Sequence, residues 1–198
     1  MGAYALSRKN LVLGKTFMLF IVFTMLFTGG LIPTYLAVRS YGLLDTRWAM
    51  LLPGLVSSYY LIIMRTFFQG IPRELEESGK IDGLSNLGIL LRIVLPLTKP
   101  VMMTISLFYA VAIWSNFFSA LIYLRDPNLF PLQVTVRNIV MPGQASETAV
   151  SSAMGGKPVL LESLKYAVIL VSTLPILMVY PFIQKHFVKG VMVGSVKG

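Results

Sequence analysis

Residues 16–38 read TFMLFIVFTMLFTGGLIPTYLAV and contain no charged side chain. The stretch is 23 residues long, and an α-helix needs roughly 20 residues to cross the hydrocarbon core of a bilayer. A helix on the surface of a soluble protein keeps a polar stripe toward water, whereas Phe17–Phe27 is apolar on nearly every side. The stretch therefore predicts a transmembrane helix.

Three further charge-free windows follow along the chain, at residues 48–64, 100–124 and 166–184. Hydrophobic residues make up 56% of the sequence. A cleaved signal peptide does not account for this, because the first apolar run is too long and three others follow it. We predict an all-α, polytopic transmembrane bundle forming a single domain over residues 1–198. Its spans are expected at about 15–38, 48–69, 101–124 and 163–184.

The basic residues are distributed unevenly between the two sides of such a bundle. With the N-terminus in the cytoplasm, eleven of the seventeen Lys and Arg residues fall on inner segments. Cytoplasmic loops of membrane proteins are enriched in these residues. Both termini are therefore predicted to be cytoplasmic. The net charge of +9 then needs no nucleic acid partner to explain it.

Several classes of chemistry are excluded or disfavoured by composition. The sequence has no cysteine, and His186 is its only histidine, so we expect neither a metal site nor a nucleophilic triad. It has no Gly-x-x-x-x-Gly-Lys-Ser/Thr motif for a nucleotide. No ionisable residue falls deep within a predicted span, which argues against a proton-driven secondary transporter. We predict that the chain is not an enzyme and binds no cofactor itself.

The inner segment between the second and third predicted spans, residues 71–100, reads IPRELEESGKIDGLSNLGILLRIVLPLTKP. Pro72 can begin a helix, and the glutamates that follow suit the positive end of its dipole. Gly83 is predicted to break this helix. Two short helices at an angle would make a knob projecting from the membrane, although a solvated loop with helical turns is also compatible with the pattern.

The second helix of this segment is predicted over Leu87–Leu95. Ser85 or Asn86 can cap its beginning, and Pro96 is expected to end it. Its apolar character suits a position along the membrane interface or against a partner.

The spacing Glu77-Ser78-Gly79-x-x-Asp82-Gly83, with Leu95-Pro96 about a dozen positions on, resembles the EAA loop of binding-protein-dependent ABC importer permeases. The family's motif normally has two alanines where Ser78 and Gly79 stand. Both replacements are small, so close packing should survive. The resemblance implies that this loop is a coupling helix that docks into a cleft of a cytoplasmic ATPase subunit. The residues that carry this role by position are Glu77, Ser78, Gly79, Asp82, Gly83, Leu95 and Pro96.

The likeness extends over essentially the whole chain. Ala3–Arg8 looks like the family's segment before its third span, and Trp114–Phe117 resembles a Trp-Asn-x-Phe motif of the fifth. Residues 184–198 resemble the tail of maltose-transporter-type carbohydrate permeases, which implies that Lys197 and Gly198 reach the ATPase subunits. Residues 29–35 and 180–182 look closest to a subgroup assigned to complex oligosaccharides. Permeases of this type have six spans, so the resemblance implies that about two spans are lacking before residue 1.

The resemblance also implies a set of partners and a location. It implies a type I ABC importer permease fold in the bacterial plasma membrane, beside a second homologous permease and membrane lipid. A cytoplasmic ATPase dimer would bind ATP and Mg²⁺. An extracytoplasmic solute-binding protein would contact the outer segment 125–162, although the amphipathic stretch Leu132–Val140 in that segment also suits a helix lying on the bilayer.

A neutral sugar needs hydrogen-bonding groups beside a flat apolar face. Trp114, Ser115 and Asn116 supply both, and Tyr59 and Tyr60 are possible additions to the same pathway. Aromatic residues also anchor helices at membrane interfaces, and mild polar residues also bond neighbouring helices. A permease for a non-sugar solute and a non-transporting membrane scaffold therefore stay open as alternatives to a sugar importer.

Overall fold

The computed structural model describes residues 1–8, 11–141 and 158–194, and in the last range it describes side chains for residues 162–181. Over these ranges the chain forms helices and turns without a β-strand, which confirms the predicted all-α class. The α-helices are α1 (Gly2–Ser7), α2 (Gly14–Leu26), α3 (Leu31–Ser40), α4 (Trp48–Leu51), α5 (Ser58–Gln69), α6 (Arg73–Ile81), α7 (Asn86–Ile89), α8 (Leu95–Leu97), α9 (Lys99–Trp114), α10 (Phe118–Tyr123), α11 (Leu132–Val140) and α12 (Pro158–Gly194).

One stretch of α12, Glu162–Pro181, is by itself long and apolar enough to cross a bilayer among the described residues. The number rises to as many as four when each of three bent helix pairs is counted as one span. These pairs are Gly14–Leu26 with Leu31–Ser40, Trp48–Gly54 with Ser58–Gln69, and Asn86–Leu97 with Lys99–Trp114.

Two of these breaks fall where the sequence places helix-breaking residues. Gly30, between α2 and α3, has a φ of 80°, a conformation that glycine adopts without the steric cost of a Cβ atom. Pro53 and Gly54 lie in the 3-10 turn Leu52–Gly54 that separates α4 from α5. Charge-free windows therefore indicate where apolar helices lie, but glycine and proline inside them divide the helices.

The chain divides into two compact units. The first is formed from Met1–Ile32, Gly54–Phe108 and Ile183–Gly198, and the second from Pro33–Pro53 and Tyr109–Phe182.

In the first unit, α2 has an apolar surface that the described part of the chain leaves uncovered. Thirteen residues form the helix, and none of them is buried. Leu19 is 70% exposed and Phe20 is 63% exposed. Water would make such a surface costly, whereas lipid tails or a neighbouring membrane helix would not.

The second unit has two small hydrophobic clusters. Val38, Ala49 and Tyr123 form one, in which the rings of Tyr35 and Tyr123 stack at 6.2 Å. Ala120, Leu124 and Val134 form the other. Val134 belongs to α11, so this predicted amphipathic helix is present, and it buries one side chain against α10.

Asp45 joins two loops of the second unit. Its backbone N–H donates to the Tyr123 carbonyl at 2.8 Å. Its Oδ1 accepts from the N–H groups of Arg125 and Asp126 at 2.8 and 2.9 Å. These two backbone hydrogen bonds lower the pKa of the Asp45 carboxyl below its usual value, because they stabilise the charged form.

The Asp45 junction is expected to weaken in acid. A carboxyl whose pKa is lower in the folded chain contributes stability above its unfolded pKa, and this contribution is lost as the pH falls through the folded pKa. Hydrogen exchange at the amides of Arg125 and Asp126, corrected for intrinsic rates, should therefore accelerate below about pH 4.

Asp45→Asn is the matched control for that measurement. Asp45 has a φ of 59°, which asparagine also adopts readily. The variant should exchange faster at neutral pH and show no acid-dependent step. If hydrogen exchange in Asp45→Asn accelerates equally at low pH, another group is responsible for the pH dependence.

Candidate functional site

The inner segment folds as two helices, as the sequence predicts. The first, α6, begins after Pro72 and carries Glu74 and Glu76 in its first turn and Lys80 in its last. This arrangement of charges complements the helix dipole. The helix ends at Ile81, and the chain then turns through Gly83, whose φ is 78°.

The second helix begins as predicted but does not end as predicted. The Ser85 hydroxyl accepts from the Gly88 N–H at 3.2 Å, which caps the start of α7. The helix then continues through a π-helical segment, Leu90–Val94, into α8. Pro96 therefore does not end the helix at Leu95. It lies inside the continuous helix, directly after the π-helical segment, and such local irregularities accompany proline within helices.

Gly79 lets the two helices approach closely. It is buried, and a Cβ atom built there would lie 2.7 Å from Cδ1 of Ile93 and 3.2 Å from Cγ1 of Ile89. The predicted need for a small residue at this position is consistent with this contact. The side chain that fills the space beside Gly79 comes from the second helix of the segment.

The knob also packs on the N-terminal helix α1 and the end of α5. The buried residues of this cluster are Ala3, Tyr4, Phe68, Ile89, Leu90 and Val94. The ring of Tyr4 meets the ring of Phe68 edge-on at 5.5 Å, a favourable arrangement for two aromatic rings. The two-helix knob is therefore packed against a hydrophobic cluster and is not a free loop.

An ion pair closes the base of the knob. Arg8 Nη1 lies 2.9 Å from Glu76 Oε2, and the Tyr4 hydroxyl donates to Glu76 Oε1 at 3.2 Å. Arg8 also donates to the Tyr4 hydroxyl oxygen. Burial raises the pKa of Tyr4. The phenol is therefore protonated at neutral pH and can donate its hydrogen bond to Glu76. Sequence reasoning gave no role to Tyr4 or Arg8, although both belong to the family-like segment Ala3–Arg8.

The predicted coupling residues come together on this one knob with different exposures. Glu77, Ser78, Asp82, Gly83 and Pro96 are exposed, Leu95 is half-buried and Gly79 is buried. Ile81, beside Asp82, is 87% exposed. The knob thus presents both carboxylates and an uncovered aliphatic side chain to its surroundings.

A polar cavity of about 470 Å³ lies between α1 and α6. Three basic side chains and two acidic ones line it. The lining residues are Ser7, Arg8, Phe68, Gln69, Ile71, Arg73, Glu76, Glu77 and Lys80.

The predicted substrate-pathway residues fall in different units. Tyr59 and Tyr60 belong to the first unit and Trp114, Ser115 and Asn116 to the second. Tyr59 is 54% exposed, and the ring of Tyr60 stacks on Phe108 at 5.9 Å.

Trp114 and Asn116 make hydrogen bonds at a break between α9 and α10. The Trp114 indole N–H donates to the Ser172 carbonyl at 3.1 Å. The Asn116 amide bonds twice to Ser119, accepting from its N–H at 3.1 Å and donating to its hydroxyl at 3.0 Å. Ser115 is exposed at the same break. The predicted tail contacts, Lys197 and Gly198, lie outside the described residues.

Comparison with known proteins identifies the family. Residues 9–193 match the model of the binding-protein-dependent transport system inner membrane component. The chain therefore belongs to this family, which confirms the resemblance that the EAA-like loop indicates. It is a membrane-embedded permease component of a binding-protein-dependent ABC transport system.

Two relatives from Bacillus subtilis (strain 168) are similar over nearly the whole chain. The polygalacturonan/rhamnogalacturonan transport system permease protein YtcP is 51% identical over 99% of this chain and 68% of its own length. Protein LplC is 50% identical over 99% of this chain and 66% of its own length. The chain thus spans about two thirds of the length of these relatives.

A solved structure also has this fold. It is the crystal structure of a bacterial ABC transporter involved in the import of the acidic polysaccharide alginate. The similarity has a TM-score of 0.84 at 35% identity and covers 94% of this chain and 66% of the other.

The contact at Gly79 predicts a graded response to side-chain size. Gly79→Ala should be tolerated, because the end of the Ile93 side chain can rotate away. Gly79→Val should lower the stability of the protein by about 1–3 kcal/mol, the usual cost of overpacking a core. Thermal unfolding of the detergent-purified protein measures the difference.

Gly88→Val is the control, since a Cβ at Gly88 has no neighbour closer than 3.5 Å. It should unfold at a higher temperature than Gly79→Val. Equal unfolding temperatures for the two valine variants would contradict the close approach at Gly79.

Proposed function

We propose that this chain is the membrane-spanning permease subunit of an ATP-driven, binding-protein-dependent importer of oligosaccharides. The observation that carries the proposal is the two-helix knob, packed on α1 and the end of α5, in a chain of this family. The names of YtcP and of the alginate importer favour oligosaccharides as the cargo. The proposal assigns ATP and Mg²⁺ to a partner ATPase dimer, so this chain needs no cofactor of its own.

The knob has the surface that a docking element requires. Glu77 and Asp82 can accept charge-assisted hydrogen bonds from a partner. The exposed Ile81 side chain between them can enter an apolar pocket, where burial of a side chain of this size contributes about 1.5–3 kcal/mol. In this proposal the knob sits in a cleft of the ATPase, and ATP binding closes the ATPase dimer. The knob moves with that cleft, and the helices joined to the knob then rock between inward-open and outward-open states.

The break at residues 115–117 suits a substrate pathway. Non-helical backbone is tolerated at membrane depth only where it is buried in protein or lines a cavity. We assign Trp114, Ser115 and Asn116 to this pathway, and Tyr59 and Tyr60 are separate candidate contacts in the first unit. A second homologous permease would complete the pathway, and an extracytoplasmic solute-binding protein would deliver the sugar to the outer segment.

To test the proposed function, the tagged protein is expressed in the organism it comes from and purified in mild detergent. An ATPase subunit and a second permease should copurify with it. After reconstitution with the binding protein, oligosaccharides prepared from polygalacturonan, rhamnogalacturonan and alginate should stimulate ATP hydrolysis and enter the vesicles. Recovery without an ATPase, or assembly without import, would contradict the proposal.

Gly83 tests the role of the knob within that complex. A valine in its left-handed conformation carries a backbone strain of about 1–3 kcal/mol, so the turn should relax to another conformation and the substrate-stimulated part of ATP hydrolysis should be lost. Membrane insertion should be unchanged, because the residue lies in an exposed turn. The rate of ATP hydrolysis in reconstituted vesicles measures the effect.

Gly83→Asn separates backbone conformation from close docking. Asparagine adopts the left-handed conformation, and no atom of the described residues lies within 4 Å of an added Cβ. If only the turn matters, this variant should keep most of the stimulation. Normal stimulation in Gly83→Val would refute the coupling role.

Asn116 tests the substrate pathway. Asn116→Ser keeps a neutral acceptor for the Ser119 N–H and should preserve stability, whereas Asn116→Ala should lose about 1 kcal/mol with that hydrogen bond. If the Asn116 amide contacts the sugar, Asn116→Ser should slow import at unchanged thermal stability. If the import rate of each variant changes only as its thermal stability changes, Asn116 has a structural role and does not contact the sugar.

A further inference from the structure

Helix α1 has two buried residues, Ala3 and Tyr4. The contacts that bury them hold this helix in place. Those contacts reach two different elements of the first unit, α5 and the knob.

The contact with the knob is concentrated on Glu76. One carboxylate oxygen accepts from the Tyr4 hydroxyl at 3.2 Å, and the other lies 2.9 Å from Arg8 Nη1. The Arg8 guanidinium also lies 4.7 Å from the centre of the Tyr4 ring, within the range of a cation–π interaction. Both oxygens of Glu76 are thus engaged by residues that are 68 and 72 positions away in the sequence.

These side chains are partly shielded from water. The side chains of Arg8 and Glu76 are 26% and 21% exposed. Exposed ion pairs contribute little, but shielding and a second hydrogen bond make such a pair more effective. By contrast, Glu74 and Glu77 on the same helix are exposed.

A second contact fastens α1 to the end of α5. Arg65 Nε donates to the Leu6 carbonyl at 3.0 Å, and the rings of Tyr4 and Phe68 meet edge-on. After α1 the chain continues toward α2, the apolar helix that has no buried residue. The N-terminal segment therefore links the knob to α2, through non-covalent contacts with Glu76 at one end and through the covalent chain at the other.

We propose that Tyr4, Arg8 and Glu76 form a clasp that makes α6 and the N-terminal segment move as one piece. A displacement of the knob is then delivered to α2 as well as to the helices that adjoin the knob in sequence. The three residues are positioning residues, since none of them lies at the exposed tip. This inference rests on the proposed coupling function and adds a second path for the movement.

The clasp is tested in the assembled transporter in vesicles, with ATP hydrolysis and import of the same oligosaccharide mixture measured together. Glu76→Gln and Arg8→Gln should each lower the sugar imported per ATP hydrolysed by roughly two- to tenfold, the range expected for directly contacting residues. Combining them should cost no more than either alone. Glu74→Gln is the matched control and should behave as the wild type.

The charge exchange Arg8→Glu with Glu76→Arg separates coupling from folding. The exchanged pair can re-form the ion pair, so it should recover at least half of the lost import per ATP. If a single variant fails to assemble, the doubly exchanged variant provides the test. Recovery of the sugar imported per ATP supports the clasp, and an assembled complex that still imports little sugar per ATP overturns it.

Failure of the clasp and failure of the proposed function are distinguishable in this experiment. A wild-type complex that hydrolyses ATP without importing sugar would overturn the proposed function. Import by the wild type, with an unchanged ratio in Glu76→Gln and Arg8→Gln, would overturn the clasp alone.

Discussion

The need to satisfy every backbone N–H and C=O group is the constraint on which this structure depends. In a bilayer core no water is present to bond a free group, so uncharged segments become helices. Where the helices break, side chains form hydrogen bonds with the backbone groups that the helix leaves unpaired. Asn116 bonds Ser119 at one break. At the junction of α8 and α9, the buried Thr98 hydroxyl donates to the Val94 carbonyl at 3.0 Å.

The same constraint explains why this chain is rich in exposed apolar surface. A membrane subunit needs no water-excluding core along its spans, because lipid and neighbouring helices are as apolar as its own side chains. The hydrophobic clusters of the first and second units lie instead around short helices and loops, at Tyr4 and Phe68 in one and at Val38 and Tyr123 in the other. Among the residues that the structure describes, packing is therefore concentrated around these short helices and loops.

Polar chemistry is concentrated in the same places. Glu76 is bound by Arg8 and Tyr4 below the exposed tip of the knob, and the Asp45 carboxylate is held by two backbone N–H groups. Each holds together segments that lie far apart in sequence, and each uses a carboxylate with more than one donor. In the proposed transport cycle, such junctions would keep neighbouring segments connected while the subunit changes state.

The sequence alone determined the all-α class, the family-like loop and the turn at Gly83, because these depend on local properties. Charge-free length, the preference of Pro72 for a helix start and the left-handed conformation of glycine act within a few residues. The tertiary structure decided which glycines and prolines in the apolar windows break a helix, how the helix passes through Pro96 and which side chain fills the space beside Gly79. It alone paired Tyr4 and Arg8 with Glu76. No periodic pattern records a contact between residues about 70 positions apart, because such a contact depends on how the intervening helices pack.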